Sequence, residues 1–238
     1  MQQYFCEVPL KPGEEYIMTK AQAHHAGDVL HMHQEKVRLV SEGKGYFGTC
    51  FRRGKEMVVA VEEEDPSVRE MNRKVILGMG LIRKEKFEWI LQKATELGVS
   101  QIIPFESSRC IVHPKKEKEE KLYARWRDIA KSAAEQCKRD IIPDIAPVIR
   151  FKDLADVQAD LRAAAYENAG NGAAYLNEIL ADHQSVLVLI GPEGGFSEEE
   201  ISFLKDNRFE CVTFGPRILR AETAALYACA VISEHDKR

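Results

Sequence analysis

The sequence predicts an α/β protein in which a small β-barrel precedes a mainly parallel sheet that helices cover on both faces. Three observations support this fold class. Residues 1 to about 70 carry short apolar segments separated by turns, with little helical periodicity. Strand and helix patterns alternate after that point, and the acidic segment 62–67 between the two regions is typical of a linker. The 238 residues accommodate both parts, so we expect domains at 1–70 and 71–238.

The first region contains several short predicted strands, and glycines mark the turns between them. Short strands at this spacing favour a small barrel over a helical unit. The strands are expected at 3–8, 37–40, 45–51 and 57–61.

The second region alternates strands with amphipathic helices. Apolar residues between 87 and 97 recur at intervals of three and four, which predicts a helix that ends at Gly98. A longer helix over 122–137 has one apolar stripe, whereas its other faces are rich in lysine and arginine. Segment 151–157 predicts a weaker helix. Strands are expected at 74–79, 101–105, 161–166, 185–190 and 211–214.

Composition indicates a soluble globular protein with enough apolar side chains for a core, because hydrophobic residues make up 45% of the chain. Six cysteines without a C-x-x-C pair argue against a disulfide framework and against a zinc ribbon. No apolar run is as long as a membrane span, and the first residues lack a signal-peptide pattern. We therefore expect a cytoplasmic protein without a membrane partner.

Charge is unevenly distributed along the chain. The formal net charge is −4, which does not by itself indicate a nucleic-acid partner. Residues 115–139 are nevertheless locally basic, with nine lysines and arginines against five acidic residues. Such a helix is either a solvated face or a docking surface for a polyanion.

Two apolar strands near the end of the chain stop in the same way, at a Gly-Pro turn that leads into a helix. The strand at 185–190 enters the first loop (191–195, GPEGG), and the strand at 211–214 enters the second loop (215–223, GPRILRAET). In an open α/β sheet, ligands bind outside the carboxyl ends of the strands. These two loops are therefore the candidate active centre.

The residues after the first loop limit the ligand that it can hold. Ser197 and Glu200 have the spacing of a capping box, and the three carboxylates that begin this helix would repel a phosphate. The G-x-G-x-x-G fingerprint of dinucleotide binders is also absent. A neutral or cationic ligand such as S-adenosylmethionine is compatible with the loop. The local pattern is equally compatible with a turn that only ends a strand and acids that only cap a helix.

The second loop concentrates charge between a buried strand and an apolar helix. Arg217, Arg220 and Glu222 lie within six residues, a place where charged groups need a partner or a function. One interpretation is catalytic. The other is that Arg220 and Glu222 pair with each other or cap the helix.

The two loop segments together carry a resemblance to a known family. IGPEGGFSEEE at 190–200 and FGPRILRAETA at 214–224 resemble the C-terminal signature of the bacterial RsmE family, the small-subunit (16S) ribosomal RNA uridine-N3 methyltransferases of the SPOUT superfamily. Similarity extends over nearly the whole chain. It includes residues 86–99, Pro104, Ser108-Arg109, Arg125-Trp126 and residues 133–139.

The resemblance implies a fold, a cofactor and partners. The fold is a PUA-like RNA-binding barrel at 1–70 followed by a SPOUT methyltransferase domain at 71–238, with a trefoil knot near the C-terminus. The partners are 16S ribosomal RNA or the small ribosomal subunit and a second copy of the chain in a homodimer. S-adenosylmethionine is expected at Leu189, Ile190, Gly191, Pro192, Gly194, Gly195, Phe214, Gly215, Ile218, Leu219 and Thr223.

The implied chemistry assigns roles to charged residues of both loops. Uridine N3 carries a proton that must leave before the methyl group is transferred. Arg220 is expected to stabilise negative charge on the uracil oxygens. Either Glu193 or Glu222 is the proton acceptor, and the other carboxylate orients Arg220. RNA contacts are expected from Arg109, Lys138, Arg139, His24 and His25.

The barrel departs from the family pattern near its histidines. The family usually has an arginine after the paired histidines, whereas this chain continues from His25 with AGDVLH, so we expect a weaker phosphate contact from the barrel. Four histidines at 24, 25, 31 and 33 are close in sequence, but they lack the cysteine or carboxylate framework of a metal site, so no metal is expected.

Three other functions compete with the methylation of uridine N3. A SPOUT enzyme that methylates the ribose 2′-oxygen or another base has the same local chemistry. A non-catalytic RNA-binding protein would explain the barrel and the basic helix, but not the charges of the second loop. A nucleotide-dependent oxidoreductase is disfavoured by the missing phosphate fingerprint.

Overall fold

A five-stranded sheet organises the first unit, which comprises Met1–Glu70 and Ala134–Ile141. The computed structural model describes residues 1–114, 116–170 and 172–236. The strand order is β1-β3-β4-β5-β2; β1 and β3 are parallel, and the other neighbours are antiparallel. The strands are β1 (Gln2–Phe5), β2 (Glu15–Ile17), β3 (Gln34–Ser41), β4 (Lys44–Arg53) and β5 (Glu56–Asp65); helix α1 (Lys20–Ala23) and a π-helical turn (His24–Val29) lie between β2 and β3.

A buried arginine cluster joins the two segments of the first unit. Arg38 of β3 is fully buried, and its Nε donates a hydrogen bond to Asp65 at 2.8 Å. Its Nη1 donates to the side-chain oxygen of Gln3 at 2.8 Å, and its Nη2 pairs with Asp140. Because all the partners are polar, the burial of this charge is compensated. The cluster fixes the segment around Asp140 to the strands.

A parallel sheet organises the second unit, which comprises Met71–Ala133 and the chain from Ile142 onward. The main order is β12-β10-β11-β6-β7-β8, β9 also pairs with β7, and every pairing is parallel. The strands are β6 (Lys74–Gly80), β7 (Gln101–Glu106), β8 (Asp144–Ile145), β9 (Ile149–Arg150), β10 (Leu161–Ala165), β11 (Ser185–Ile190) and β12 (Glu210–Val212). The helices are α2 (Lys84–Glu96), α3 (Glu119–Cys137), α4 (Leu176–Ile179), α5 (Glu198–Asp206) and α6 (Ala221–His235); α3 contributes its last residues to the first unit.

Both faces of this sheet are buried. Along β6, Val75 and Leu77 point into one apolar cluster with residues of α2 and α6, whereas Ile76 points into a second cluster with Phe196 and Leu204. Alternate side chains of a strand face opposite sides of a sheet, so the continuous apolar run of β6 is what a central parallel strand requires. The predicted α/β fold class, with a parallel sheet and a separate N-terminal sheet, is confirmed. The knot stays a prediction.

Some predicted elements differ from the observed ones. The segment predicted as a weak helix is a 3-10 turn at Phe151–Asp156. The last strand begins at Glu210, one residue earlier than predicted, and ends at Val212. It ends earlier than predicted because the Thr213 hydroxyl accepts a hydrogen bond from the Gly215 N–H at 3.2 Å and turns the chain. Strand β2 and helix α1 were not predicted, since each has only one buried residue.

Candidate active site

One cavity of about 500 Å³ lies at the carboxyl ends of β10, β11 and β12. Both Gly-Pro loops line it, as the crevice rule for open α/β sheets predicts. Because β10 lies between β11 and β12 in the sheet, the segment after β10 also reaches the cavity. The lining residues outside the two loops include Lys86, Ala165, Tyr166, Glu167 and Thr213.

The first loop is a tight turn against the end of the sheet. The Gly195 N–H donates to the Pro192 carbonyl at 2.9 Å, and Gly195 has a φ of 66°, a conformation that favours glycine. A side chain at Gly195 would begin 2.7 Å from a carboxylate oxygen of Glu167. The backbone of this loop therefore lies directly at the cavity wall.

Side chains next to the first loop hold it in place. Arg109 Nη1 donates to the Gly194 carbonyl at 2.9 Å, and the Ser108 N–H donates to Glu200 at 2.8 Å. The same Glu200 carboxylate accepts from the Ser197 N–H, while the Glu200 N–H donates to the Ser197 hydroxyl. The predicted capping box is present. Glu200 therefore connects the start of α5 to the loop after β7.

The second loop ends where α6 begins. Arg220 is the residue before the helix, and its side chain makes no capping hydrogen bond. The carboxylate of Glu222 pairs with Lys86. This arrangement does not support the alternative in which Arg220 and Glu222 only cap the helix. Arg220 instead lines the cavity together with Arg217 and Leu219.

Lys86 of α2 lies between two carboxylates. Its Nζ is 3.2 Å from both oxygens of Glu222 and 3.8 Å from Oε1 of Glu193. Burial raises the pKa of Glu222, but its own backbone N–H, Lys86 and the charge of Arg220 outweigh that effect and hold the pKa below its usual value. Glu222 is therefore ionised at neutral pH.

Most predicted cofactor and catalytic residues line this cavity, with exceptions that have structural reasons. Leu189 is fully buried and does not line the cavity, because its side chain packs into the apolar cluster on one face of the sheet. Thr223 is exposed outside the cavity lining, and Glu222 lies behind Lys86. The predicted residues that do line the cavity are Ile190, Gly191, Pro192, Glu193, Gly194, Gly195, Phe214, Gly215, Ile218, Leu219 and Arg220.

Two of the predicted RNA contacts, Lys138 and Arg139, directly follow helix α3 in the first unit. Arg139 is buried and its guanidinium pairs with Glu70 at 2.6 Å, an arrangement that does not favour the predicted RNA contact. Burial and the charge of Arg38 lower the pKa of Lys138, whose ammonium donates to the Glu135 carbonyl at 3.0 Å.

Two histidines of the first unit, His24 and His25, belong to the π-helical turn. His24 is exposed and its Nδ1 lies 2.9 Å from Asp28, while His25 Nδ1 lies 3.2 Å from the Tyr4 hydroxyl. Within residues 1–114, 116–170 and 172–236, no group of three histidine, cysteine or acidic side chains is placed to hold a metal ion. In the same residues, no helix is long and apolar enough to cross a membrane.

Comparison with known proteins shows the family to which this chain belongs. A family described as RNA methyltransferase domain matches residues 69–233, which include the whole cavity lining. The ribosomal RNA small subunit methyltransferase E of Bacillus subtilis is 34% identical over 98% of this chain and 96% of its own length. The chain belongs to the ribosomal RNA small subunit methyltransferase E family.

Solved structures agree with this assignment. A ribosomal RNA small subunit methyltransferase E from Neisseria gonorrhoeae, bound to S-adenosyl methionine, has a TM-score of 0.90 at 28% identity, with 98% of this chain and 97% of that chain covered. A methyltransferase from Legionella pneumophila, in complex with the same cofactor, has a TM-score of 0.88 at 29% identity, with 98% and 96% covered.

Proposed function

We propose that this protein transfers the methyl group of S-adenosylmethionine to N3 of a uridine in 16S ribosomal RNA. The observation that carries the proposal is the cavity between two Gly-Pro loops at the carboxyl edge of the parallel sheet, with Arg220 and Glu193 in its wall. Its family, and relatives crystallised with the cofactor, support the same chemistry.

The cavity fits S-adenosylmethionine better than a phosphorylated cofactor. A volume of about 500 Å³ lies within the range of small-molecule sites, and the wall combines glycine backbone with apolar side chains. The first turn of α5 carries three carboxylates, which disfavour a phosphate. The residues proposed to hold the cofactor are Ile190, Gly191, Gly195, Phe214, Gly215, Ile218 and Leu219. When bound, S-adenosylmethionine supplies a methyl group that its positive sulfur already activates.

Glu193 is the proposed acceptor of the uridine N3 proton. It lines the cavity, whereas Glu222 lies behind Lys86 and outside the lining. The lowered pKa of Glu222 also makes that carboxylate a weaker base. Arg220, on the opposite loop, is the group that stabilises negative charge on the uracil oxygens once the proton has left.

The remaining parts of the proposal concern RNA, assembly and location. The first unit serves as a PUA-like RNA-binding barrel, with the exposed His24 and the half-buried His25 and Lys138 as candidate contacts. Arg109, exposed beside the first loop, is a contact closer to the reacting base. We also propose a cytoplasmic homodimer with a knotted SPOUT domain, acting on 16S ribosomal RNA or the small ribosomal subunit.

Arg220→Ala tests the catalytic assignment. We expect cofactor affinity, measured by calorimetry, to stay within a few fold of the unchanged protein, because Arg220 acts on the base. Methyl transfer to small ribosomal subunits should fall by about 100-fold or more, since a group that stabilises developing charge is lost.

Arg150→Ala is the matched control for this substitution, because the Arg150 side chain is 83% exposed and pairs with Asp153, three residues further along the chain. The control should transfer methyl groups at the unchanged rate. Full activity in Arg220→Ala would contradict the assignment.

A further inference from the structure

Lys86 differs from the other lysine at the start of α2. Lys84 is 58% exposed and lies 3.9 Å from Glu88 of its own helix. Lys86 is 33% exposed, lines the cavity, and reaches one carboxylate in the first loop and one in α6. Holding a long, flexible side chain in one place costs conformational entropy, so the contacts of Lys86 with the two carboxylates must offset that cost.

The charged side chains around Lys86 lie at different distances from the cavity. Glu222, whose side chain is 16% exposed, lies behind Lys86 and contacts its ammonium with both oxygens at 3.2 Å. Glu193 lies at the cavity, with its nearer oxygen at 3.8 Å from the same ammonium. Arg220 supplies the other positive charge that acts on Glu222. Without Lys86, two carboxylates would face each other across a partly buried space.

We propose that Lys86 is a positioning residue: Glu222 fixes its ammonium from behind, and the ammonium in turn holds Glu193 in place as the proton acceptor at the cavity wall. This inference rests on the proposed function, because it assigns the acceptor role to Glu193. It also changes the role of Glu222, which acts only through Lys86.

A purely structural ion pair between α2 and α6 is the alternative. Such a pair would affect unfolding but not kcat, and it would leave Glu193 unaffected. The two accounts therefore differ in the effect of Lys86→Met on kcat, not in the loss of stability.

Lys86→Met tests the proposal by kinetics. We expect kcat to fall at least tenfold while the KM for S-adenosylmethionine stays within a few fold, because Glu193 loses the ammonium that holds it in place as the proton acceptor. Lys86→Arg should restore most of the rate. Lys84→Met, the control, should leave kcat and KM unchanged. An unchanged kcat in Lys86→Met would overturn the proposal.

A second measurement on the protein alone separates this inference from the proposed function. Carbon-13 NMR of the Glu222 carboxyl should show its titration midpoint move to higher pH in Lys86→Met, since its closest cation is removed, and stay in place in Lys84→Met. If the midpoint moves but neither the unchanged protein nor any variant methylates ribosomal RNA, the proposed function fails while the pairing of Lys86 with Glu222 stands. An unmoved midpoint would contradict the pairing even in an active enzyme.

Discussion

Gly80, the last residue of β6, leaves room for the first loop to approach the sheet. A Cβ atom there would lie 2.6 Å from the backbone nitrogen of Pro192, and backbone cannot rotate away as a side chain can. The position of the cavity wall therefore depends on a residue that does not itself line the cavity.

Gly80→Ala is expected to move the first loop. Affinity for S-adenosylmethionine should fall about tenfold or more, which corresponds to at least ~1.4 kcal/mol, as measured by calorimetry. Gly78→Ala is the control, because a methyl group there meets a side-chain carbon of Leu189, which can repack. Both substitutions should lower stability, but only the first should weaken cofactor binding. Equal loss of affinity in the two variants would contradict this role of Gly80.

Single residues of the site were predictable where a local motif singles them out. Arg220 was singled out because charge is unusual between a buried strand and an apolar helix, whereas Glu193 was assigned from the family resemblance. Lys86 was not, because nothing local distinguishes it from Lys84; only its tertiary neighbours do. Tyr166 and Glu167 were missed as well, since the order of parallel strands, which places β10 between β11 and β12, is not encoded in any local pattern.

At the scale of elements, the segment Ala134–Ile141 shows how a buried charge organises a fold. The 71–238 domain prediction included this segment, whereas its contacts assign it to the first unit. Arg38 provides the reason, because its guanidinium pairs with Asp65 at the end of β5 and with Asp140 of the segment. Strand patterns do not reveal such pairing over a sequence separation of 102 residues.

Arg38→Met is expected to destabilise the first unit by about 3–5 kcal/mol, because it leaves the Asp65 and Asp140 carboxylates buried without their shared cation. The measurement is hydrogen exchange of the backbone amides of β3, β4 and β5, which should accelerate strongly. Arg53→Met is the control, since Arg53 pairs with Glu15 at an exposed site. Exchange rates in Arg38→Met equal to those in the control would contradict the role of the cluster.

Strands and long helices were predicted well where burial is regular. The six residues of β11 were predicted with their observed ends, because an uninterrupted apolar run reports burial on both faces of a sheet. By contrast, β2 has three residues and only Tyr16 is buried, so its pattern is too short to recognise. The short strands β8 and β9 depend on pairing with β7 in the same way.

At the scale of the whole molecule, the fold class followed from the change of pattern near residue 70, whereas the reaction did not. Local chemistry limited the first loop to a ligand without phosphate, and the residues of both loops together indicated the family. The choice between uridine N3, another base and a ribose oxygen depends on how the RNA is held. No local pattern of this chain encodes that geometry.

Methylation of small ribosomal subunits that lack the modification tests the central claim most directly. The subunits are incubated with this protein and methyl-labelled S-adenosylmethionine, and the RNA is digested to nucleosides for mass analysis. We predict one labelled product, N3-methyluridine. A ribose-methylated nucleoside, a different methylated base or the absence of any labelled product would contradict the proposal.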